Sequence, residues 1–176
     1  MTGAPCLVTE RLELWQPAMG DLPGMVELLA SAETRRYLGA AEPGEKAQFE
    51  RLLRHAGGWA LYDYGNFYLR LRGDRQIIGN CGVFHSWRGF GMGLDDVPEA
   101  GWMIHHAHCG RGYAAEAMHA ALAWFDRTQG AQRIACMIEA GNAPSERLAA
   151  RLGFVPYGQR EEADAAPLVL YERLAG

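Results

Sequence analysis

The chain has no basic block or stripe: seventeen Lys plus Arg stand against twenty-one Asp plus Glu, a net charge of -4 at pH 7. That removes the electrostatic footprint of a nucleic-acid-binding surface. Its four cysteines, Cys6, Cys81, Cys109 and Cys136, form no C-x-x-C pair and lack the dense spacing of a secreted disulfide scaffold, so free thiols are expected. No run approaches the roughly 18 apolar residues of a membrane span. Met1 to Thr9 lacks the basic start and apolar core of a leader, and the expectation is a cytoplasmic protein with no membrane partner. Repeats, low-complexity tracts and linkers are absent too. What is present, 176 residues at 49% hydrophobic and 10% aromatic content, suits one domain over 1–176 that buries roughly 70% of its unfolded surface.

The pattern of apolar residues predicts a mixed α/β chain. Leu7 to Trp15 alternates from Arg11 on and reads as one strand. Asp21 is placed to cap a helix with Pro23 in its first turn, and Ser31 to cap a short second helix ending at Gly39. A third helical pattern covers Glu45 to His55 and continues toward Tyr62. Asn66 to Arg72, a Gly73-Asp74 turn and Gln76 to Phe84 form a hairpin. A glycine-rich loop, Arg88 to Asp96, leads into a strand at Glu99 to Ile104. Gly112 to Gln129 reads as a helix, Arg133 to Glu139 as a strand and Asn142 to Arg151 as a helix. Phe154 to Gly158 and Leu168 to Leu174 close the chain as a strand pair.

Chemistry concentrates at Cys109-Gly110-Arg111-Gly112-Tyr113-Ala114-Ala115-Glu116. Two glycines one residue apart at the mouth of a helix leave backbone N–H groups free to close around phosphate, where the helix dipole adds partial positive charge. Three readings compete. Gly110, Gly112 and Ala115 fit the G-x-G-x-x-G/A dinucleotide fingerprint, with Glu139 as the ribose-binding acid. The polar segment His105 to Cys109 interrupts the strand-to-glycine junction that fingerprint needs, and the upstream hairpin does not suit a doubly wound sheet. The glycines also serve as a plain tight turn. The third reading is a phosphate-bearing cofactor.

The surrounding segments favour the third, because together they resemble the GNAT superfamily of acetyl-CoA-dependent N-acetyltransferases, closest to its RimJ/RimL-like branch. Thr9-Glu10-Arg11-Leu12 resembles that branch's opening strand and Glu99-Ala100-Gly101-Trp102-Met103-Ile104 its central strand. Gly110 to Ala117 resembles its cofactor turn, and Asn142-Ala143-Pro144-Ser145 followed by Leu152-Gly153-Phe154 its next helix. Cys109 stands where the Q/R-x-x-G-x-G/A signature has Gln or Arg. The resemblance implies a GNAT-type mixed sheet of about seven strands with flanking helices. It implies acetyl transfer from acetyl-CoA to a primary amine, either a protein N-terminal α-amine or a small-molecule amine. A non-catalytic acyl-CoA-binding module is the alternative, and a monomer or homodimer is expected.

Residue roles follow from the same resemblance. Met103, Ile104 and His105 would pair with the pantetheine arm, and the turn from Cys109 through Gly110, Arg111, Gly112, Tyr113 and Ala114 would hold the pyrophosphate. Asn142 would hold the pantetheine amides and Ser145 would donate to the departing sulfur. Glu99 would be the general base. An amine must be neutral to attack, which at pH 7 costs about 1.4 kcal/mol for an α-amine and roughly 4.6 for a lysine. No metal is expected: His105, His106, His108 and Cys109 are too close in sequence to converge on one ion. Trp59, Trp87 and the loop 88–96 are candidates to line an acceptor pocket. Acceptor specificity is expected in the segments 21–55, 86–97 and 160–167.

Overall fold

In a computed structural model, which describes residues 4–39, 43–163 and 165–175, eight strands form a single sheet in the order β1-β2-β3-β4-β5-β6-β8-β7. They are β1 (Leu7–Val8), β2 (Leu12–Trp15), β3 (Asn66–Leu71), β4 (Gly79–Trp87), β5 (Asp95–Ile104), β6 (Ile134–Glu139), β7 (Val155–Arg160) and β8 (Leu168–Arg173). The helices are α1 (Leu22–Ala30), α2 (Ala32–Arg35), α3 (Glu45–Tyr62), α4 (Tyr113–Gln129) and α5 (Ala143–Arg151). Every neighbouring pair is antiparallel except β5 with β6. A sheet of this kind is mixed α/β and is not the doubly wound parallel sheet of a dinucleotide-binding domain.

The eighth strand comes from the N-terminus, where one strand was expected. Thr9 to Arg11 reverse direction so that Leu7 pairs with Leu14 and Val8 with Glu13. The Thr9 hydroxyl fixes that turn by accepting from the Leu12 amide at 3.0 Å. Two other expectations are corrected. Asp21 precedes α1 but makes no capping bond with its side chain. Its carboxylate is instead buried against Arg70, with an N···O distance of 2.5 Å, and accepts the Ala18 amide at 2.8 Å. Arg70 takes one oxygen and the Ala18 amide the other, which leaves neither for the first amides of α1. Ser31 does cap α2, accepting from Thr34, but that helix stops at Arg35. Residues 40–42 and 164, within the expected acceptor-side segments, lie outside the described residues.

Helices cover both faces of the sheet. On α4 the residues Ala117, Met118, Ala121, Leu122 and Phe125 recur at helical spacing and are all buried, against Leu12, Leu14, Phe67, Leu69, Cys81, Val83 and Ala100. The other face carries Met25, Leu28 and Leu29 of α1 and Leu52 of α3, packed on Tyr68 and Met103. Adjacent residues of a strand point to opposite faces, so Tyr68 lies behind its neighbours Phe67 and Leu69. Fully burying a Leu, Phe or Met side chain contributes about 1.5–3 kcal/mol, which makes these two layers the support for anything built between them. Trp59, a candidate pocket residue, is half-buried against the core: its indole donates to the Asn66 carbonyl at 2.9 Å and packs on Phe67 and Trp124. Trp87 is 73% exposed.

Candidate functional site

The sheet opens in its middle. β4 and β5 stay paired from Trp87 and Asp95 to Gly79 and Ile104, and β6 and β8 stay paired along all of β6. Between them, β5 and β6 pair only at Glu99 with Ala135 and Ala100 with Cys136. Beyond Ala100 the two parallel strands separate, leaving strand edges that face one another without a partner. Strand residues direct their backbone N–H and C=O to alternate edges. The His105 amide donates to the Ile78 carbonyl on the β4 side at 2.8 Å, and Met103 shares that direction. The edge facing the opening therefore belongs to Trp102 and Ile104. Of the three residues expected there, Ile104 lies on that edge, whereas the Met103 backbone and the His105 amide face β4; Trp102, which shares the edge with Ile104, was not among those expected.

Side chains of β5 divide the opening into two faces. On the face of α4 and α5, the Trp102 indole donates to the Ser145 hydroxyl oxygen at 3.3 Å. An indole nitrogen only donates, so the hydroxyl proton of Ser145 remains free for another acceptor. Ser145 is held from its own helix as well, its amide donating to the Asn142 side-chain oxygen at 3.3 Å. Asn142 thus acts as the N-cap of α5, with its side-chain NH2 left over.

On the opposite face lies Glu99, 3% exposed. Arg88 grips both of its oxygens, Nε at 2.9 Å and Nη2 at 2.5 Å. Burial would lower the Arg88 pKa, but the hydrogen bonds and charge of Glu99 outweigh it and leave the guanidinium above its usual value. Arg88 opens a loop that is clipped over the second half of the sheet. Asp95 accepts the amides of Gly89 and Gly91, the Tyr157 hydroxyl donates to the Met92 carbonyl at 2.9 Å, and Arg133 donates to the Gly93 carbonyl at 2.8 Å. Beneath it sit Leu94, Ala135 and Leu170. The sequence marks this loop as glycine-rich and as a candidate lining of an acceptor pocket, but nothing in it pairs Arg88 with Glu99.

From Ile104 the chain makes a 3-10 turn at His106–His108 and enters the glycine turn. Gly110 and Gly112 have φ of 75° and 81°, the left-handed region that only glycine occupies without strain. Among the described residues, the amides of Gly110, Arg111 and Gly112 have no hydrogen-bond acceptor. Those of Tyr113, Ala114 and Ala115 begin α4, where no preceding helical turn can accept them. Six donors therefore converge at one helix end. Cys109 does not join them: its amide donates to the His106 carbonyl and its thiol turns to the carbonyls of Ile104 and His105, each at 3.7 Å. Burial raises its pKa. His106 is tied to Thr34 of α2 through its amide at 3.1 Å, and the His105 ring accepts the Ala107 amide.

The turn is braced by residues that the sequence reading did not assign to the site. Glu116, in the first turn of α4, accepts from the Thr9 hydroxyl at 2.6 Å and from the Arg11 amide at 2.9 Å. The Arg11 guanidinium reaches the other oxygen through Nε at 2.7 Å and Nη2 at 2.6 Å. Thr9 and Arg11 both lie in the Thr9-Glu10-Arg11-Leu12 segment that carried part of the family resemblance.

A family model described as an acetyltransferase (GNAT) domain matches residues 11–155. Two curated Bacillus proteins are similar in sequence. The uncharacterized protein YkkB of Bacillus subtilis is 30% identical over 98 residues, 56% of this chain and 54% of YkkB; the match spans about half the length of that relative. The uncharacterized N-acetyltransferase p20 of Bacillus licheniformis is 24% identical over 86% of this chain and 83% of p20. A Bordetella pertussis structure assigned to the GnaT-family acetyltransferases is 38% identical, with a TM-score of 0.85 over 95% of this chain and 98% of that one. RimL, a ribosomal L7/L12 α-N-protein acetyltransferase solved with coenzyme A, shares the fold at a TM-score of 0.75 and 15% identity, over 96% of this chain and 97% of RimL. With an opened parallel strand pair, a free-amide glycine turn and a family match across most of its length, the chain belongs to the GNAT acetyltransferase family.

Proposed function

We propose that this protein transfers the acetyl group of acetyl-CoA directly to a primary amine within a ternary complex. The observation that carries this reading is the placement of Glu99 and Ser145 on opposite faces of β5 at the point where it leaves β6. A direct transfer needs a proton acceptor on the side from which the amine approaches and a proton donor on the side toward which sulfur departs. Glu99 and Ser145 answer to these two needs. When bound, acetyl-CoA supplies an activated acetyl group and a thiol leaving group.

The remaining roles fall to groups already described. The amides of Gly110 to Ala114 hold the pyrophosphate, with Arg111 adding a positive charge. The backbones of Trp102 and Ile104 pair with the pantetheine arm and orient the thioester carbonyl. The free NH2 of Asn142 reaches the same arm, and the Ser145 hydroxyl donates toward the sulfur while Trp102 holds its oxygen in place. Glu99 accepts the proton of the incoming amine, directly or through one water, once the acceptor has drawn Arg88 off at least one of its oxygens.

One observation favours a second reading, an acyl-CoA-binding module without turnover: Arg88 occupies both oxygens of Glu99. Release of free thiol from acetyl-CoA in the presence of small amines and of peptides with free N-termini separates the two. Amine-dependent thiol release supports the transferase. Tight binding of acetyl-CoA with no release across both acceptor classes supports the module.

A further inference from the structure

Glu116 poses an electrostatic problem for the site. A carboxylate in the first turn of a helix is drawn to the same positive helix end that would hold a pyrophosphate, and here it stands on the helix whose free amides form the turn. Left uncompensated, it would compete with and repel an anionic ligand. The Arg11 fork answers this charge, and Thr9 completes the set of donors around it. Partial burial would raise the pKa of Glu116, but the Thr9 hydroxyl and the amide and guanidinium of Arg11 hold it below the usual carboxylate range.

The same guanidinium also acts on the turn's backbone. Its Nη1 donates to the Arg111 carbonyl at 2.9 Å. A trans peptide is planar, with C=O and N–H on opposite sides, so anchoring the Arg111 carbonyl on Arg11 turns the Gly112 N–H the other way, toward the open side of the turn. A Cβ at Gly112 would lie 3.4 Å from Arg11 Nη2, and the guanidinium sits 4.7 Å from the Tyr113 ring centroid. One side chain, from the turn between β1 and β2 and 100 residues away in sequence, thus contacts Arg111, Tyr113 and the acidic Glu116 and lies against the space a side chain at Gly112 would need.

Resting on the reading of the turn as the pyrophosphate site, we infer that Arg11 is its positioning residue: it neutralises Glu116 and aims the Gly112 amide at the pyrophosphate. Calorimetric titration with coenzyme A and with S-acetylpantetheine, which lacks the pyrophosphate, tests this, together with melting of each protein without ligand. Arg11→Gln is expected to weaken coenzyme A binding about tenfold or more and to leave S-acetylpantetheine binding unchanged. Glu116→Gln keeps wild-type affinity or exceeds it, and the double variant recovers most of the loss. A double variant no better than Arg11→Gln, or a parallel loss for both ligands, would show a merely structural clip and overturn the inference. Where Arg11→Gln does not fold, Glu116→Gln decides alone: a tenfold drop in coenzyme A affinity refutes the inference and retained affinity supports it. A wild type that binds no coenzyme A removes the cofactor site and the inference with it. If the wild type binds and Arg11→Gln binds equally, only the inference falls.

Discussion

Two carboxylates in this molecule are held by an arginine fork, Glu116 by Arg11 and Glu99 by Arg88, and their surroundings differ. The Arg11–Glu116 pair is 43% and 17% exposed by side chain, and Thr9 shares the carboxylate. In the Arg88–Glu99 pair the arginine is 36% exposed but the glutamate only 4%, and among the described residues Arg88 supplies the only side-chain bonds to its two oxygens. The first fork fixes a backbone turn and can stay closed throughout a reaction. The second covers a carboxylate beside the strand opening, and the proposed transfer requires it to open. On the proposed function, similar geometry serves as a brace in one place and as a removable cover in the other.

Breaking the second fork at its carboxylate has the largest expected effect. Glu99→Gln should lower kcat by about 10²–10⁴, the range of a general base, with coenzyme A affinity unchanged in calorimetry. An unaltered kcat would reduce Glu99 to a partner of Arg88. Ser145 lies on the opposite face from Glu99, and Ser145→Ala should lower kcat by about ten- to a hundredfold, the worth of one hydrogen bond to a charged sulfur, with KM for acetyl-CoA nearly constant. Equal losses in kcat and in coenzyme A binding would make it a binding residue instead.

The forks should also differ in stability. Arg88→Ala strands a buried carboxylate and is expected to cost about 1–3 kcal/mol, whereas Arg11→Ala leaves Glu116 its Thr9 bond and partial solvation and should cost about 1 kcal/mol or less. Thermal melting of both variants checks the ordering, and equal losses would undo the distinction drawn between brace and cover. The smallest effect is one of pH. Because the folded-state pKa of Glu116 is held down, its stabilisation is present above the unfolded value of about 4.3 and is lost as pH falls through the folded value. Glu116→Gln should melt below wild type at neutral pH, and that gap should close in acid. A gap that persists at low pH would mean that charge is not what the pair contributes.

Sequence made some of this legible and hid the rest for identifiable reasons. The order of strand, glycine turn and Asn142/Ser145 helix carried the family because each of those segments is contiguous. The N-cap bond between Asn142 and Ser145, three residues apart, was equally readable. Both forks escaped notice: Arg11 and Glu116 are 105 residues apart, and Arg88 meets Glu99 only because β4 and β5 fold back on each other. The family resemblance names the stretch Met103 to His105, but neither it nor periodicity says which edge each backbone addresses, and the edge facing the opening is that of Trp102 and Ile104. Cys109 fills a signature position, yet the bond of its amide to His106 is a property of the preceding 3-10 turn. The turn at Thr9 to Arg11 interrupts what reads as one alternating segment, which is why eight strands stand where about seven were expected.

The central claim is that the free-amide turn and the opening between β5 and β6 form one acetyl-CoA site. Amide hydrogen exchange with and without acetyl-CoA tests it most directly. Protection is predicted together at Gly110 to Ala114, at Trp102 and Ile104, and at the start of α5, while α1 and β7 are unchanged. Saturating acetyl-CoA that leaves the turn and the strand edge exchanging as before, or protects one without the other, would contradict it.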